Sequence, residues 1–167
     1  MNLYLLRHGI AVEPGTYGYE NDSERPLIPK GERRLRAAVA AMKELELSFD
    51  LILSSPFVRA RQTAEIVADG MKLKKDLKLS DDLIPGGSSK ALICALKELK
   101  PEPENVLLVG HEPYLSRLIS LLIANDEYAA IEMKKGGLCK LEIGELCHGR
   151  CAQMSWLLTP SQMELMG

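Results

Sequence analysis

The stretch Leu3-Tyr4-Leu5-Leu6-Arg7-His8-Gly9-Ile10-Ala11 opens the chain with an apolar run that finishes on two basic side chains and a glycine. Residues 2–7 carry few polar breaks, the pattern of a strand covered on both faces rather than on one. A buried strand so near the start, ending on Arg7 and His8, has two explanations. Its polar end meets solvent as any strand end does, or the two residues stand at the mouth of a site. The remainder of the chain decides between them.

Outward from this strand, residues 12–29 are rich in Gly, Pro, Asn, Asp and Ser and form a long loop, a length that compact domains reserve mostly for function. From Lys30 to about Glu46, Leu35, Ala38, Val39, Met42 and Leu45 recur at three- and four-residue steps and predict a helix. FDLILSS is a second buried strand, and Pro56 opens a helix through VRARQTAEIVADGM. LKLSDDLIPGG reads as a short strand and loop, and SSKALICALKELK as a helix begun by a serine cap. ENVLLVGHE is another apolar strand, followed by a helix from Pro113. The end changes character: GGLCKLEIGELCHGRCAQMSWLLTP alternates, with turn residues between Gly144 and Gly149, and predicts an antiparallel hairpin. Met163 and Met166 beyond it read as packing or as a loose end. Strands alternating with helices predict an α/β fold of three layers: a mostly parallel central sheet, helices on both faces, and an antiparallel C-terminal hairpin. Residues 1–167 are expected to form a single domain, since 167 residues suit one and no linker or repeat interrupts them.

Bulk composition narrows the function. The chain is 46% hydrophobic and 26% charged, with a net charge of -2. That balance gives no general attraction to nucleic acid or to an anionic membrane, so neither is expected as a partner. No stretch has the length of a membrane span. The N-terminus lacks a cationic lead and a small-residue cleavage site, so no secretory leader is expected. The four cysteines, Cys94, Cys139, Cys147 and Cys151, then read as reduced thiols of a cytoplasmic protein. CHGRC suggests zinc at first sight, but its spacing is not that of a C-x-x-C pair, so it reads as coincidence and no metal is expected. Nothing in the residues sets an oligomeric state.

In open α/β sheets the binding crevice lies beyond the carboxyl ends of the strands. Three strands end here on Arg7-His8-Gly9, on SSPFVRARQT and on Gly110-His111-Glu112, and a parallel sheet brings all three tips to one edge. Two histidines and two arginines in one pocket suit phosphate. An arginine fork matches phosphoryl oxygens bidentately. A histidine of ordinary pKa, about 6.5, is largely neutral in the cell and nucleophilic, and neighbouring arginines hold it so. Helix starts after Pro56 and Pro113 would turn backbone N–H groups toward an anion, and Gly9 allows close backbone approach and unusual dihedrals beside His8. Arg61, two residues from Arg59, points elsewhere on the helix and reads as solvated.

LLRHG with His8, SSPFVRARQTA with Arg59 and LLVGHEP with His111, in this order and at strand ends, resemble the histidine phosphatase superfamily. RHGIA, NDSERPLIPKGE, SPFVRARQTAE and DDLIPGG, in so short a chain, resemble more narrowly its small phosphohistidine phosphatases of the SixA type. The resemblance implies a phosphoglycerate-mutase-like fold without an inserted lid subdomain. It implies that His8 attacks phosphorus and becomes phosphorylated, that Arg7 and Arg59 bind the phosphoryl oxygens, and that His111 donates to one of them. Arg25 and Asp22 match residues beside the pocket in that branch and, with Gly9, are candidate substrate-binding residues. No cofactor or metal is implied.

Larger relatives carry an acid that protonates the leaving group. The candidates in the matching region are Asp81 and Asp82, with Asp82 retained as a possible general acid. An alkoxide leaving group generally needs such an acid, whereas the imidazole of phosphohistidine is protonated near neutral pH. A weak acid set and an open pocket therefore favour phosphohistidine on a protein, a phosphorelay or phosphotransfer partner by resemblance. The alternatives are a phosphatase of small phosphate esters and a phosphate-binding scaffold without catalysis. A scaffold needs no nucleophile, yet His8 is present.

Overall fold

A computed structural model describes residues 1–167. Six strands form one sheet: β1 (Asn2–Arg7), β2 (Leu51–Ser54), β3 (Leu77–Leu79), β4 (Asn105–Gly110), β5 (Leu138–Ile143) and β6 (Ala152–Leu158). Their order is β3-β2-β4-β1-β5-β6. The pairs β3–β2, β2–β4 and β4–β1 are parallel, while β1–β5 and β5–β6 are antiparallel. The expected hairpin is present, turning between Ile143 and Ala152.

Alternation along the central strands splits the core into two layers. Leu3 and Leu5 of β1 and Val106 and Leu108 of β4 face one side. There they pack against α3 (Ser89–Glu98) and α4 (Tyr114–Ala124). Tyr4, Leu6, Leu107 and Val109 face the other, against α1 (Pro29–Glu44) and α2 (Val58–Gly70). The apolar run of β1 is thus buried twice over, which is why it lacks the polar alternation of a one-sided strand.

Local signals set the helix ends. Pro29 begins α1, where its missing N–H has no partner to lose. Ser88 caps α3 by accepting the N–H of Ala91. Asn125, left-handed at φ 62°, ends α4. α2 starts at Val58 with Phe57 as its cap, two residues later than Pro56 suggested. One element was not anticipated. α5 (Pro160–Met163) is a single turn closed by a capping box between Thr159 and Gln162. It buries Met163 against the α1–α2 layer, whereas Met166 is exposed. No helix is long and apolar enough to cross a membrane.

Gly31 shapes the path from β1 to the site. A Cβ there would lie 2.1 Å from the Ile10 carbonyl oxygen. Only glycine lets α1 approach the segment that leaves β1, and Ile28 N–H donates to the same carbonyl.

Candidate active site

Main-chain hydrogen bonds assemble the strand tips. His8 N–H donates to Gly110 O at 3.0 Å, continuing the β1–β4 ladder one residue past its end, and Ser55 N–H donates to Val109 O at 3.0 Å. His8, Ser55 and His111 are therefore pinned around the end of β4, and the rings of His8 and His111 lie 5.1 Å apart between centroids.

His8 is 6% exposed. Its Nδ1 stands 2.8 Å from Gly9 O. A carbonyl only accepts, so Nδ1 carries the proton and Nε2 the lone pair. Arg59 Nε, which only donates, lies 3.3 Å from that Nε2 and requires the same tautomer. Burial pushes the His8 pKa down to about 3, reinforced by His111, Arg59 and Arg7, against the contrary pull of the Gly9 carbonyl. The ring is neutral, with an unprotonated nitrogen facing a guanidinium.

Arg59 is held on the first turn of α2 with its side chain 4% exposed. Its Nη1 donates to Asp22 O at 2.6 Å and its Nη2 to Asp22 Oδ2 at 2.9 Å. Its guanidinium also lies 5.4 Å from the Phe57 ring centroid. Asp22 opens a short 3₁₀ turn, Asp22–Glu24, capped by Asn21, inside the long loop after β1. Arg25, at the end of that turn, grips Asp22 Oδ1 through Nε at 2.9 Å and Nη2 at 2.6 Å, and donates from Nη1 to Val12 O. Burial raises the Asp22 pKa, but the hydrogen bonds from Arg25 and Arg59 outweigh it and hold the carboxyl below its ordinary value. The loop thus brings Arg25 and Asp22 to the pocket, with Asp22 half exposed at its rim.

His111 follows β4 and is 1% exposed. Its Nε2 lies 2.8 Å from Ser55 Oγ, while its Nδ1 is buried without a partner. Burial lowers its pKa to about 3, and Arg59, Arg25 and Arg7 act the same way while Asp22 opposes them. Arg7 donates from Nη1 to Met133 O at 2.7 Å, and its Nε is buried without a partner. Its charge reaches His8, His111 and Arg59.

One expectation changes. Gly9 does not take an unusual dihedral, since its φ is not positive. Its amide donates to Thr63 Oγ1 at 3.1 Å and so faces no ligand. Gly9 is closely packed instead: a Cβ there would lie 2.7 Å from Leu35 Cδ1, so that side chain would have to shift. Asp82 makes no hydrogen bond or ion pair with His8, Arg59 or His111. It sits in the Asp81–Leu83 turn, capped by Ser80, and its charge is felt at Tyr114. Asp81, in the same turn, is exposed. Arg61 points outward and pairs with Glu65 at 3.6 Å. Cys147 and Cys151 lie close together near the hairpin turn, with Cys151 Sγ 3.5 Å from Cys147 O. No three His, Cys, Asp or Glu side chains converge as metal ligands.

Ser55, Thr63 and the Met133 carbonyl complete the site without having been singled out. Thr63 donates to Arg59 O at 2.7 Å as it accepts from Gly9, so it ties α2 to the turn after β1. Its place four residues after Arg59 was the available signal. A backbone acceptor such as Met133 O leaves none. Cleft size is no guide either. A cleft of about 610 Å³ lies on the outer sides of α1 and α2 around Glu32, Gln62 and Asp69, away from every one of these residues.

The model of the histidine phosphatase superfamily (branch 1) matches residues 3–84, which contain Arg7, His8, Asp22, Arg25 and Arg59. The phosphohistidine phosphatase SixA of Escherichia coli (strain K12) is 30% identical over 127 residues, covering 75% of this chain and 76% of that protein. An uncharacterised protein of Picosynechococcus sp. is 36% identical over 145 residues, 86% of each chain. Among solved structures, that of the protein histidine phosphatase SixA complexed with tungstate superposes with a TM-score of 0.83 at 25% identity, covering 96% of this chain and 98% of the other. The chain therefore belongs to the histidine phosphatase superfamily, in its small SixA-type branch, and has the phosphoglycerate-mutase-like fold of those structures.

Proposed function

We propose that this protein hydrolyses phosphohistidine on a partner protein through a phosphorylated His8. The observation that carries the reading is the state of His8: Nδ1 is committed to Gly9 O, and Nε2 is unprotonated beside Arg59. Arg59 holds that lone pair in a pocket of three arginines suited to phosphoryl oxygens, and a nucleophile for phosphorus needs such an unprotonated nitrogen. The relatedness to phosphohistidine phosphatases and the tungstate bound by one of them support the same reading.

In the first step the His8 Nε2 lone pair forms a bond to phosphorus as the P–N bond to the substrate imidazole breaks. The leaving imidazole retains one proton, supplied by its own imidazolium form near neutral pH, so no dedicated carboxylic acid is required. Arg59 and Arg7 take the charge of the equatorial oxygens, and His111 donates to one of them. Water then attacks phosphorus, the bond to His8 breaks, and inorganic phosphate leaves. None of these steps calls on a metal or cofactor. A pocket without a lid subdomain leaves room for a side chain still attached to its protein, and Asp22 and Arg25 line the approach.

The test compares turnover of a phosphohistidine-bearing protein and phosphoramidate with that of an aryl phosphate and a panel of sugar phosphates. Phosphoramidate-type substrates should be preferred, and His8→Ala should lose at least ~10⁴-fold. Broad ester hydrolysis would move the protein to the small-ester phosphatases. Absence of phosphate trapped on His8 with good phosphodonors would make it a binding scaffold, and activity surviving His8→Ala would end the mechanism.

A further inference from the structure

We propose that Ser55 is a positioning residue that locks His111 in its Nδ1–H tautomer, so that His111 donates to the phosphoryl group as a neutral ring. The inference rests on the reading of this pocket as a phosphoryl site, and it follows from a count of donors and acceptors. Ser55 Oγ accepts the Phe57 N–H at 3.2 Å and lies 2.8 Å from His111 Nε2. The backbone N–H only donates, so the hydroxyl keeps its own proton to give, and His111 Nε2 is the acceptor within reach. Nε2 is then unprotonated, and the single proton of the neutral ring sits on Nδ1, the buried atom without a partner. The reverse arrangement, Nε2–H donating to Oγ, leaves two groups unmet: the serine proton and the Nδ1 lone pair. The first arrangement leaves one, the Nδ1–H, and since unmet buried groups are costly it prevails over the reverse. A second proton on the ring is opposed by burial and by three arginines.

The geometry is built to hold this state. Ser55 is fully buried, its N–H is held by Val109 O, and its carbonyl accepts the Ser54 hydroxyl. The rotor that supplies the hydroxyl proton is therefore mounted on a backbone hydrogen-bonded through both its N–H and its carbonyl. The orphan Nδ1–H has its natural acceptor in a phosphoryl oxygen, so His111 binds the reacting group without releasing a proton to it.

The chain has three histidines, so ¹⁵N NMR of the imidazoles in the resting full-length protein reads the tautomer directly, with His111 assigned by its disappearance in His111→Asn. The expected signature is a protonated Nδ1 and a pyridine-like Nε2, and the opposite signature overturns the proposal. Ser55→Ala should abolish that signature and lower kcat on phosphoramidate ~10–100-fold with KM nearly unchanged, and Ser55→Thr should restore both. An intact signature in Ser55→Ala also overturns it. If Ser55→Ala does not fold, two isosteres of His111 decide. His111→Asn places an amide N–H near Nδ1 and His111→Gln places one near Nε2, so Asn should retain ~10-fold more turnover, and the reverse order overturns the proposal. A correct signature in a protein that hydrolyses nothing would instead refute the phosphatase reading and leave the tautomer standing.

Discussion

Acid should destabilise this fold through His8 and His111, and the size of the effect follows from their burial. Both imidazoles have an ordinary value of 6.5 and are pushed to about 3 in the folded protein. The unfolded chain takes up a proton at each as the pH falls through 6.5, while the folded chain does not until about 3. Stability is therefore unaffected by these groups above 6.5 and declines across the window from 6.5 to about 3. From pH 6.5 to about pH 5 is roughly one and a half units at ~1.36 kcal/mol each, so each histidine removes ~2 kcal/mol and the two together about 4. That is a large part of the ~5–15 kcal/mol by which domains are stable. Urea unfolding at about pH 7.5 and about pH 5, at fixed ionic strength, measures it. Wild type should lose about 4 kcal/mol beyond the contribution of its carboxylates, and His8→Asn should lose ~2 kcal/mol less than wild type. Equal losses in the two proteins would mean that His8 titrates in the fold as it does in the unfolded chain. The case for a neutral nucleophile held by burial would then fail.

Three further outcomes are expected. Arg59→Lys keeps the charge but not the fork that spans His8 and Asp22, so kcat/KM should fall ~100-fold or more, and retention within threefold in steady-state assays would show that charge alone suffices. Asp22→Asn removes a carboxylate from the arginines that would receive an oxyanion. Calorimetric titration should show tungstate binding ~5-fold tighter, from about 1 kcal/mol of relieved repulsion, whereas weaker binding would assign Asp22 to orienting Arg59. Gly31→Ala places a Cβ against the Ile10 carbonyl, where the main chain must move, and should cost ~1–3 kcal/mol in chemical denaturation. Gly144→Ala, with open space around it, should be nearly neutral, and equal costs would refute the close-approach argument.

The parts of the site carried by the sheet were legible because buried parallel strands write their ends plainly. Leu3–Leu6 and Val106–Val109 are unbroken apolar runs, so the Arg7-His8 pair stands out directly after the first and His111, past Gly110, after the second. Arg59 was legible through its place on the first turn of the helix that follows β2. Asp22 and Arg25 lie in a loop without periodicity, and only the resemblance to known phosphatases marked them. Their convergence on Arg59 depends on how the loop folds over α2, which no spacing encodes. The Ser55–His111 bond joins residues 56 positions apart, and serine before a helix reads most simply as a turn residue. Gly9 departs from its sequence reading: the sequence suggests dihedral freedom, and the structure shows no positive φ there and a close fit against Leu35 and Leu27. The turn α5 carried its signature in Thr159-Pro160-Ser161-Gln162, but four residues are too few for periodicity to register.

The sheet order has a consequence for how such a protein diversifies. The spacing between His8 and His111 is set by the β1–β4 ladder and its one-residue extension, the His8 amide on Gly110 O. Asp22 and Arg25 arrive on a loop that contributes nothing to that ladder and meets the site by accepting from Arg59 through Asp22. The spacing of the two histidines and the course of the loop are therefore inherited separately. Exchanging residues 12–28 for the loop of a relative should leave the His8–His111 spacing as it is, while the setting of Arg59 passes to whatever residue takes the place of Asp22.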